Sequence, residues 1–310
     1  MKVNRPPRRI PRERIDGVLL LDKPQGLSSN GALQAAKRLL NAAKAGHTGT
    51  LDPLATGLLP LTFGEATKFS QTLLDADKEY EATIRLGFET DSGDAEGSIV
   101  STASVAVGAA ALESALEPLR GEIEQIPPMH SALKRDGKPL YEYARAGIEI
   151  ERAPRRVSIH RLDVLAFEGT DVRVSVRCSK GTYIRSLAID LGRALGCGAH
   201  LSALRRTAIG PFGVADALTL DALEAESAPT RRTLLAPPDR LLACPSLELE
   251  DGQAQAILQG RALHAASALA GPVRLHCRHR FLGLGEVGPD GTLRARRLVA
   301  ADPAEFAPHD

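Results

Sequence analysis

Short apolar runs and alternating stretches dominate the chain, with only a few helical patterns between them. Gly17-Val18-Leu19-Leu20-Leu21 is an apolar run of strand length, closed by the turn-forming Asp22-Lys23-Pro24-Gln25-Gly26. Ser28 and Ser29 then offer a cap to a helix in which Leu33, Ala36 and Leu40 recur on one face, away from Lys37, Arg38 and Asn41. Residues 46–57 (GHTGTLDPLATG) break every periodicity and are rich in Gly and Thr, which predicts a loop. Tyr80, Ala82, Ile84 and Leu86 alternate with Glu81, Thr83 and Arg85; Val172, Val174, Val176 and Cys178 alternate with Arg173, Ser175 and Arg177. Both are half-buried strands. Thr90-Asp91-Ser92-Gly93-Asp94 reads as a turn, and Ser179-Lys180-Gly181 leads into a helix with Leu187, Leu191 and Leu195 on its face, ending near Gly196. Strands and helices mix without a regular β-α-β rhythm, so the fold class expected is α+β.

Residues 224–245 contain Pro229, Pro237, Pro238 and Pro245 with little periodicity and read as a linker. Beyond them, residues 272–277, 281–287 and 293–299 look like short strands. They predict a small β-rich domain of about 65 residues, near the lower size limit for independent folding. The expected division is a basic flexible arm at 1–14, a main domain at 15–243 and a small domain at 244–310.

Composition narrows the setting. With 43% hydrophobic and 25% charged residues, the chain of 310 has the balance of a soluble globular protein, and no apolar stretch is long enough to cross a bilayer. Net charge is +1, yet residues 1–14 carry six Lys/Arg against one acid, so the remainder is mildly acidic. Such a Pro-rich arm suits phosphates, and no apolar core follows it to make a signal peptide. Four scattered cysteines without a CxxC fit a reducing compartment, and a cytoplasmic location is expected.

Phosphate-loop, dinucleotide and nucleophile-elbow patterns are all missing. His276, Cys277 and His279 are close in sequence but lie on a predicted strand, whose alternation parts them, and lack a fourth ligand; neither metal nor cofactor is expected. Asp52 stands out. An Asp before proline is ordinarily a turn former, but Gly49 and Gly57 give this loop the backbone freedom that a closely approaching ligand requires. A carboxylate nucleophile must be ionised, so it needs a cation nearby. Arg185, at a strand-to-helix junction beside Tyr183, is the candidate.

These residues form a recognisable set. Residues 17–24 (GVLLLDKP), 46–60 (GHTGTLDPLATGLLP), 64–69 (GEATKF), Lys78-Glu79-Tyr80, 125–134 (QIPPMHSALK), 178–185 (CSKGTYIR) and Leu204-Arg205-Arg206 resemble, in collinear order, the bacterial TruB family of tRNA pseudouridine-55 synthases. The resemblance is close over residues 15–215 and looser beyond, where the family carries a PUA domain. It implies a pseudouridine synthase fold: a central mixed or antiparallel sheet flanked by helices, with a thumb-like insertion at about 128–156 and a C-terminal PUA-like RNA-binding domain.

The resemblance also implies roles. Asp52 takes the place of the essential carboxylate in a cofactor-free isomerisation of uridine, attacking ribose, attacking the base or assisting elimination to a glycal. Tyr80 matches the tyrosine that stacks on the uracil, Arg185 the partner of the catalytic Asp, and Tyr183 and Leu204 the lining of the uracil pocket. His47 matches a histidine that holds RNA with its base turned out, and Lys23 shapes the site. The implied substrate is the T-loop of tRNA, whose target base must leave the stack. Eight Lys/Arg against four acids in residues 134–161 suit the thumb. Arg274, Arg278, Arg280, Arg294, Arg296 and Arg297 suit an acceptor-stem contact, and a monomer is expected.

The main alternative is a tRNA-binding or folding module with catalysis secondary, against which the intact set of Asp52, Tyr80 and Arg185 argues. A small-molecule glycosidase normally needs two catalytic carboxylates, and Asp91 and Asp94 make a poor second pair in their Ser-Gly turn. Removing residues 1–14 is expected to weaken RNA binding and flatten its salt dependence, because fewer counterions are released. Binding measured across a salt series checks this; an unchanged slope would make the arm a passive leader.

Overall fold

The alternating residues of 78–86 do form a strand, and its two faces have different fates. In the computed structural model, which describes residues 11–265, 269–301 and 303–306, the even-numbered side chains from Lys78 to Leu86 are all buried. In chain order the strands of the first half are β1 (Gly17–Lys23), β2 (Ala45–His47), β3 (Thr56–Phe63), β4 (Lys78–Leu86), β5 (Phe88–Thr90), β6 (Ile99–Thr102), β7 (Gly121–Gln125), β8 (Lys134–Arg135) and β9 (Lys138–Pro139). The second half adds β10 (Arg155–Glu168), β11 (Asp171–Cys178), β12 (Ala199–Ile209), β13 (Phe212–Gly213), β14 (Ser246–Glu248), β15 (Leu263–His264), β16 (Gly271–Cys277), β17 (Arg280–Val287) and β18 (Thr292–Leu298).

A nine-stranded sheet runs β1-β3-β12-β4-β11-β10-β7, with β2 on β3 and β13 on β12. Every pairing in it is antiparallel except β3 with β12, so the sheet is mixed, as expected. One face is covered by helices Ser29–Leu39, Ala109–Leu116 and Ile184–Ala194, which bury Leu33, Ala36, Leu112, Leu116, Leu187 and Leu191 against Ile84, Leu86, Val174 and Val176. Ser28 caps the first of these helices through the Gly31 amide, as its sequence predicts. The opposite face of β4, β10 and β11 carries crossed ion pairs, among them Arg85–Asp171, Arg161–Glu79 and Arg177–Asp77. Exposed pairs like these keep the face soluble and contribute little stability.

Three expectations are corrected. Residues 46–57 are not all loop: Ala45–His47 pairs with β3, and β3 begins at Thr56, because the neighbouring backbone supplies ladder partners that a lack of periodicity hides. Residues 224–245 are not a free linker. They pack as helices Leu220–Ala225 and Ala228–Thr233 and the short turn Pro238–Leu241, with Leu241 and Leu242 buried and Ala236 exchanging backbone hydrogen bonds with Val18. Pro229 and Pro238 stand in the first turns of helical segments, where a missing amide costs nothing. Residues 11–14 of the basic arm are also held, since Glu13 bonds Asn41 and Ala43 through its backbone and pairs with Arg232 at 2.5 Å. Residues 1–10 lie outside the described residues.

The C-terminal sheet, in the order β14-β16-β17-β18-β15, encloses its own core of Val273, Leu275, Leu282, Val287 and Leu293 with helix Asp251–Leu258. It is seated on the large sheet through residues 64–69. Phe69 meets Phe281 edge-on at 5.4 Å between ring centres, and Lys68 Nζ donates to the Leu298 carbonyl at 2.9 Å. No helix among the described residues is long and apolar enough to cross a membrane.

One glycine fixes how closely β3 and β12 approach. Gly57 has φ +100°, and a Cβ there would lie 2.3 Å from the Arg206 carbonyl oxygen and 2.8 Å from its nitrogen. Gly57→Ala is expected to destabilise the protein by about 3 kcal/mol, combining positive-φ strain with backbone overlap. Chemical denaturation checks this, and an unchanged midpoint would refute it.

Candidate active site

Asp52 lies in the connection between β2 and β3, and that connection is fastened at several points. Ser29 Oγ accepts from the Leu51 amide at 2.7 Å and lies 3.0 Å from the Leu51 carbonyl, while the Gly26 amide donates to the Pro53 carbonyl at 2.8 Å. Leu51, Leu54 and Ala55 are buried beneath it. The carboxylate is thus held on a firm base with its side chain 37% exposed.

Arg185, in the first turn of helix Ile184–Ala194, is 4% exposed and meets that carboxylate at 2.9 Å. The pairing inferred from chemical need is present. Two further arms of the guanidinium's environment were not foreseen. Nη1 faces Asp94 at 3.5 Å and donates to the Ser92 carbonyl at 3.2 Å; Nη2 also donates to the His130 carbonyl at 2.5 Å. Asp94 is itself buried, and its Oδ1 accepts from Ser92 Oγ and the Glu96 amide at 2.6 and 3.1 Å. One cation therefore stands between two carboxylates. Desolvation raises the Asp52 pKa above the usual carboxylate value and Asp94 adds to this, while Arg185 and Lys23 pull it down; the net direction is up.

The carboxylate opens into a cavity of about 320 Å³, a size suited to a small ring system. Tyr80, Tyr183, Arg185 and Leu204 line it with Asp52, so five of the seven residues expected at the site converge there. Burial raises the phenol pKa of Tyr80 against an opposing pull from Arg206, and burial likewise raises that of Tyr183 against Ser131. The other two stand apart from the lining. His47 sits half-buried on β2 with Nδ1 unpartnered, and burial, with Arg206 adding, lowers its pKa. Lys23 is fully buried at the end of β1 and donates to the Pro24 and Leu27 carbonyls at 2.8 and 2.6 Å, bracing the turn behind the site; burial lowers its pKa to about 8.

Asp94, Lys78 and Arg206 had no assigned role from sequence. For Lys78 a signal existed, because alternation places it on the apolar face of β4 with Tyr80 and Ala82. For Arg206 the alternation gave none, because register shifts in β12 between Leu201 and Ala203 and between Arg206 and Ala208 scramble the period of two.

The basic regions behave differently from one another. Within residues 128–156, the β8–β9 hairpin and helix Leu140–Arg145 carry Lys138 over the Tyr143 ring and Arg145 over Tyr141, and Ser131, Ala132 and Leu133 reach the cavity wall. In the C-terminal sheet Arg274, Arg278, Arg280 and Arg296 are each paired with a carboxylate, which reduces the positive strip expected there.

The mixed sheet, its β-rich companion and this cavity define a pseudouridine synthase fold. Residues 37–184 match the N-terminal domain of the TruB family pseudouridylate synthases, 185–243 the tRNA pseudouridylate synthase B C-terminal domain, and 245–299 the C-terminal domain of pseudouridine synthase II TruB. The chain is 66% identical over 287 residues to a tRNA pseudouridine synthase B of Aromatoleum aromaticum, covering 92% of this chain and 93% of that one. It is 65% identical over 294 residues to that of Azoarcus sp., covering 94% and 98%. A crystal structure of a Cbf5-Nop10-Gar1 complex aligns with a TM-score of 0.66 at 29% identity, covering 92% of this chain and 84% of that chain. The chain belongs to the TruB family, and it is an isomerase that converts uridine to pseudouridine in tRNA.

Replacing Asp94 by Asn removes a negative charge that holds the Asp52 pKa up and one arm that holds Arg185. Ionisation of Asp52 is expected to move to lower pH, and an acid limb of the rate–pH profile that follows it should move with it. The plateau rate should fall on the order of 10- to 100-fold as Arg185 loses its alignment. Single-turnover rates across pH check both signs; an acid limb moved upward would refute the coupling.

Proposed function

We propose that this enzyme isomerises uridine 55 in the T-loop of tRNA, with Asp52 as its catalytic carboxylate. The observation that carries the reading is the convergence of an ion-paired carboxylate and two tyrosines on one nucleobase-sized cavity. A base within a folded loop must leave its stack to reach such a cavity, and aromatic and aliphatic walls replace the stacking it gives up. Tyr80 and Leu204 supply those walls here. Arg185 fixes the Asp52 carboxylate so that it approaches the glycosidic bond in one orientation, without having to reorganise during reaction.

Other residues complete the reading. His47 and Lys23 support the loop and the turn behind Asp52 and act on the RNA through that support. The segment at 128–156, with its exposed cations and its contact to Arg185 through the His130 carbonyl, closes over the T-arm. The C-terminal domain, residues 244–310, meets the acceptor stem chiefly through Arg294 and Arg297. The enzyme acts as a monomer on cytoplasmic tRNA.

The test is release of tritium from tRNA carrying 5-tritiated uridine, since C5 proton loss reports isomerisation directly. Wild-type enzyme is expected to release one equivalent from transcripts with U55 and none from transcripts with cytidine there. Asp52→Asn should abolish release while changing tRNA affinity by less than about tenfold, or 1.4 kcal/mol. Substantial turnover by Asp52→Asn, or release from the cytidine transcript, would overturn the assignment, and liberation of free uracil would point to a hydrolase.

A further inference from the structure

Two buried cations in the cavity have no part in the scheme above. Arg206 is 1% exposed and Lys78 8% exposed. Arg206 Nε donates to the Leu58 carbonyl at 2.7 Å, with Nη2 3.5 Å from that of Gly49. Lys78 Nζ donates to the carbonyls of Leu73, Leu74 and Ala76 at 3.2, 2.7 and 2.6 Å. Among the described residues neither forms an ion pair. The acids nearest Lys78 in sequence pair elsewhere, Asp75 with Lys180, Asp77 with Arg177 and His160, and Glu79 with Arg161 and Arg177. Two desolvated cations hydrogen-bonded mainly to carbonyls, with no acid among the described residues within ion-pair distance, are costly to bury, so their position calls for an explanation.

That position is in the lining of the cavity into which Asp52 opens, with Arg206 reaching back to Gly49 of the same loop. Tyr80 senses both charges: Arg206 lowers its pKa, in part through a hydrogen bond, and Asp52 raises it. The lining therefore carries buried positive charge beside the Asp52 carboxylate. We infer that Arg206, assisted by Lys78, forms a positive pole that stabilises negative charge on the uracil ring while the ring is detached from or partly added to the enzyme. This rests on the reading of Asp52 above.

The charge arises whichever route the carboxylate follows. If the N1–C1′ bond breaks heterolytically, its electron pair stays on uracil, and C1′ either bonds Asp52 or loses the C2′ proton to a glycal. If Asp52 instead adds to C6, the electron pair of the C5–C6 bond moves towards O4. Each path places negative charge on the carbonyl oxygens. C5 then bonds C1′, expelling the carboxylate from C1′ or, on the glycal path, with return of the proton to C2′; on the C6 path N1–C1′ breaks as C5–C1′ forms and the carboxylate afterwards leaves C6. Loss of the C5 proton and protonation at N1 restore a neutral ring. A fixed cation in a water-poor cavity acts most strongly on such transient charge.

The test compares single-turnover loss of the N1-linked nucleoside in tRNA carrying uridine or 5-fluorouridine at position 55. Fluorine withdraws electron density and so supplies part of the stabilisation the cation gives. Arg206→Gln is expected to slow the uridine substrate about 100-fold with tRNA affinity nearly unchanged, and the 5-fluorouridine substrate about tenfold less severely. Arg206→Lys, which keeps the charge, should retain at least about a tenth of the rate and the wild-type ratio between substrates. Equal losses on both substrates, or a loss confined to affinity, would overturn the inference. If Arg206→Gln does not fold, Arg206→Lys decides alone: a natively folded variant slowed beyond 100-fold, or with an altered substrate ratio, rejects it. Asp52→Asn as a parallel control separates the two readings, since activity there removes the role of Asp52 itself, whereas an inactive Asp52→Asn with unselective Arg206 variants removes only the positive pole.

Discussion

A guanidinium withdrawn from water has to find partners for its donors, and Arg185 finds them on three separate stretches of chain. Its contacts run to Asp52 in the β2–β3 connection, to Ser92 and Asp94 in the turn after β5, and to His130 at the base of the 128–156 segment. Removing one partner from a buried ion pair typically costs about 3–5 kcal/mol, because the remaining charge is left uncompensated. The three stretches are consequently held in one arrangement by a single side chain. The same contacts orient the carboxylate, so local stability and site geometry depend on one interaction.

The strands that carry the core also carry the site. Along β4, Ile84 and Leu86 are packed under helix Ile184–Ala194, while Tyr80 and Lys78 on the same face emerge at the cavity. β12 does the same with Leu201 and Leu204, and its Arg206 is brought against β3 by the close approach at Gly57. Such placement on rigid elements holds a site more accurately than loops alone can. The loop residue of the site, Asp52, gains comparable rigidity from Ser29, Gly26 and the buried Leu51.

This arrangement explains which features were legible in the sequence. Period-two strands such as Lys78–Leu86 and Asp171–Cys178 declare themselves because one face is apolar and the other charged. The capped helix at Ser29–Leu39 does so through its serine and its helical spacing. Ala45–His47 and Thr56 did not, since ladder partners far along the chain, rather than local pattern, make them strands. Nor did the packing of residues 224–245, where prolines that suggested a linker start helical turns. At the site, Asp52 and Arg185 could be paired from chemical requirement, because an ionised buried carboxylate needs a cation. Asp94 could not, because a turn acid looks the same in sequence whether it faces water or a guanidinium.

Net charge near zero also acquires a structural meaning. Arginines on the outer face of the large sheet and on the C-terminal sheet are largely matched by acids, as at Arg85–Asp171, Arg173–Glu81 and Arg278–Asp251. Exposed and paired, those cations project little field beyond their own carboxylates. Lys78 and Arg206 are the opposite case, being few, buried and hydrogen-bonded mainly to carbonyl oxygens. In a low-dielectric wall, an unneutralised charge acts on a ligand far more strongly than one in water. A count of charged residues weighs both kinds equally, and so it understates the part of the protein where electrostatics can do chemical work. What matters for reaction is where positive charge is left without a paired acid, and in this fold two such cations line the cavity together with Asp52 and Arg185.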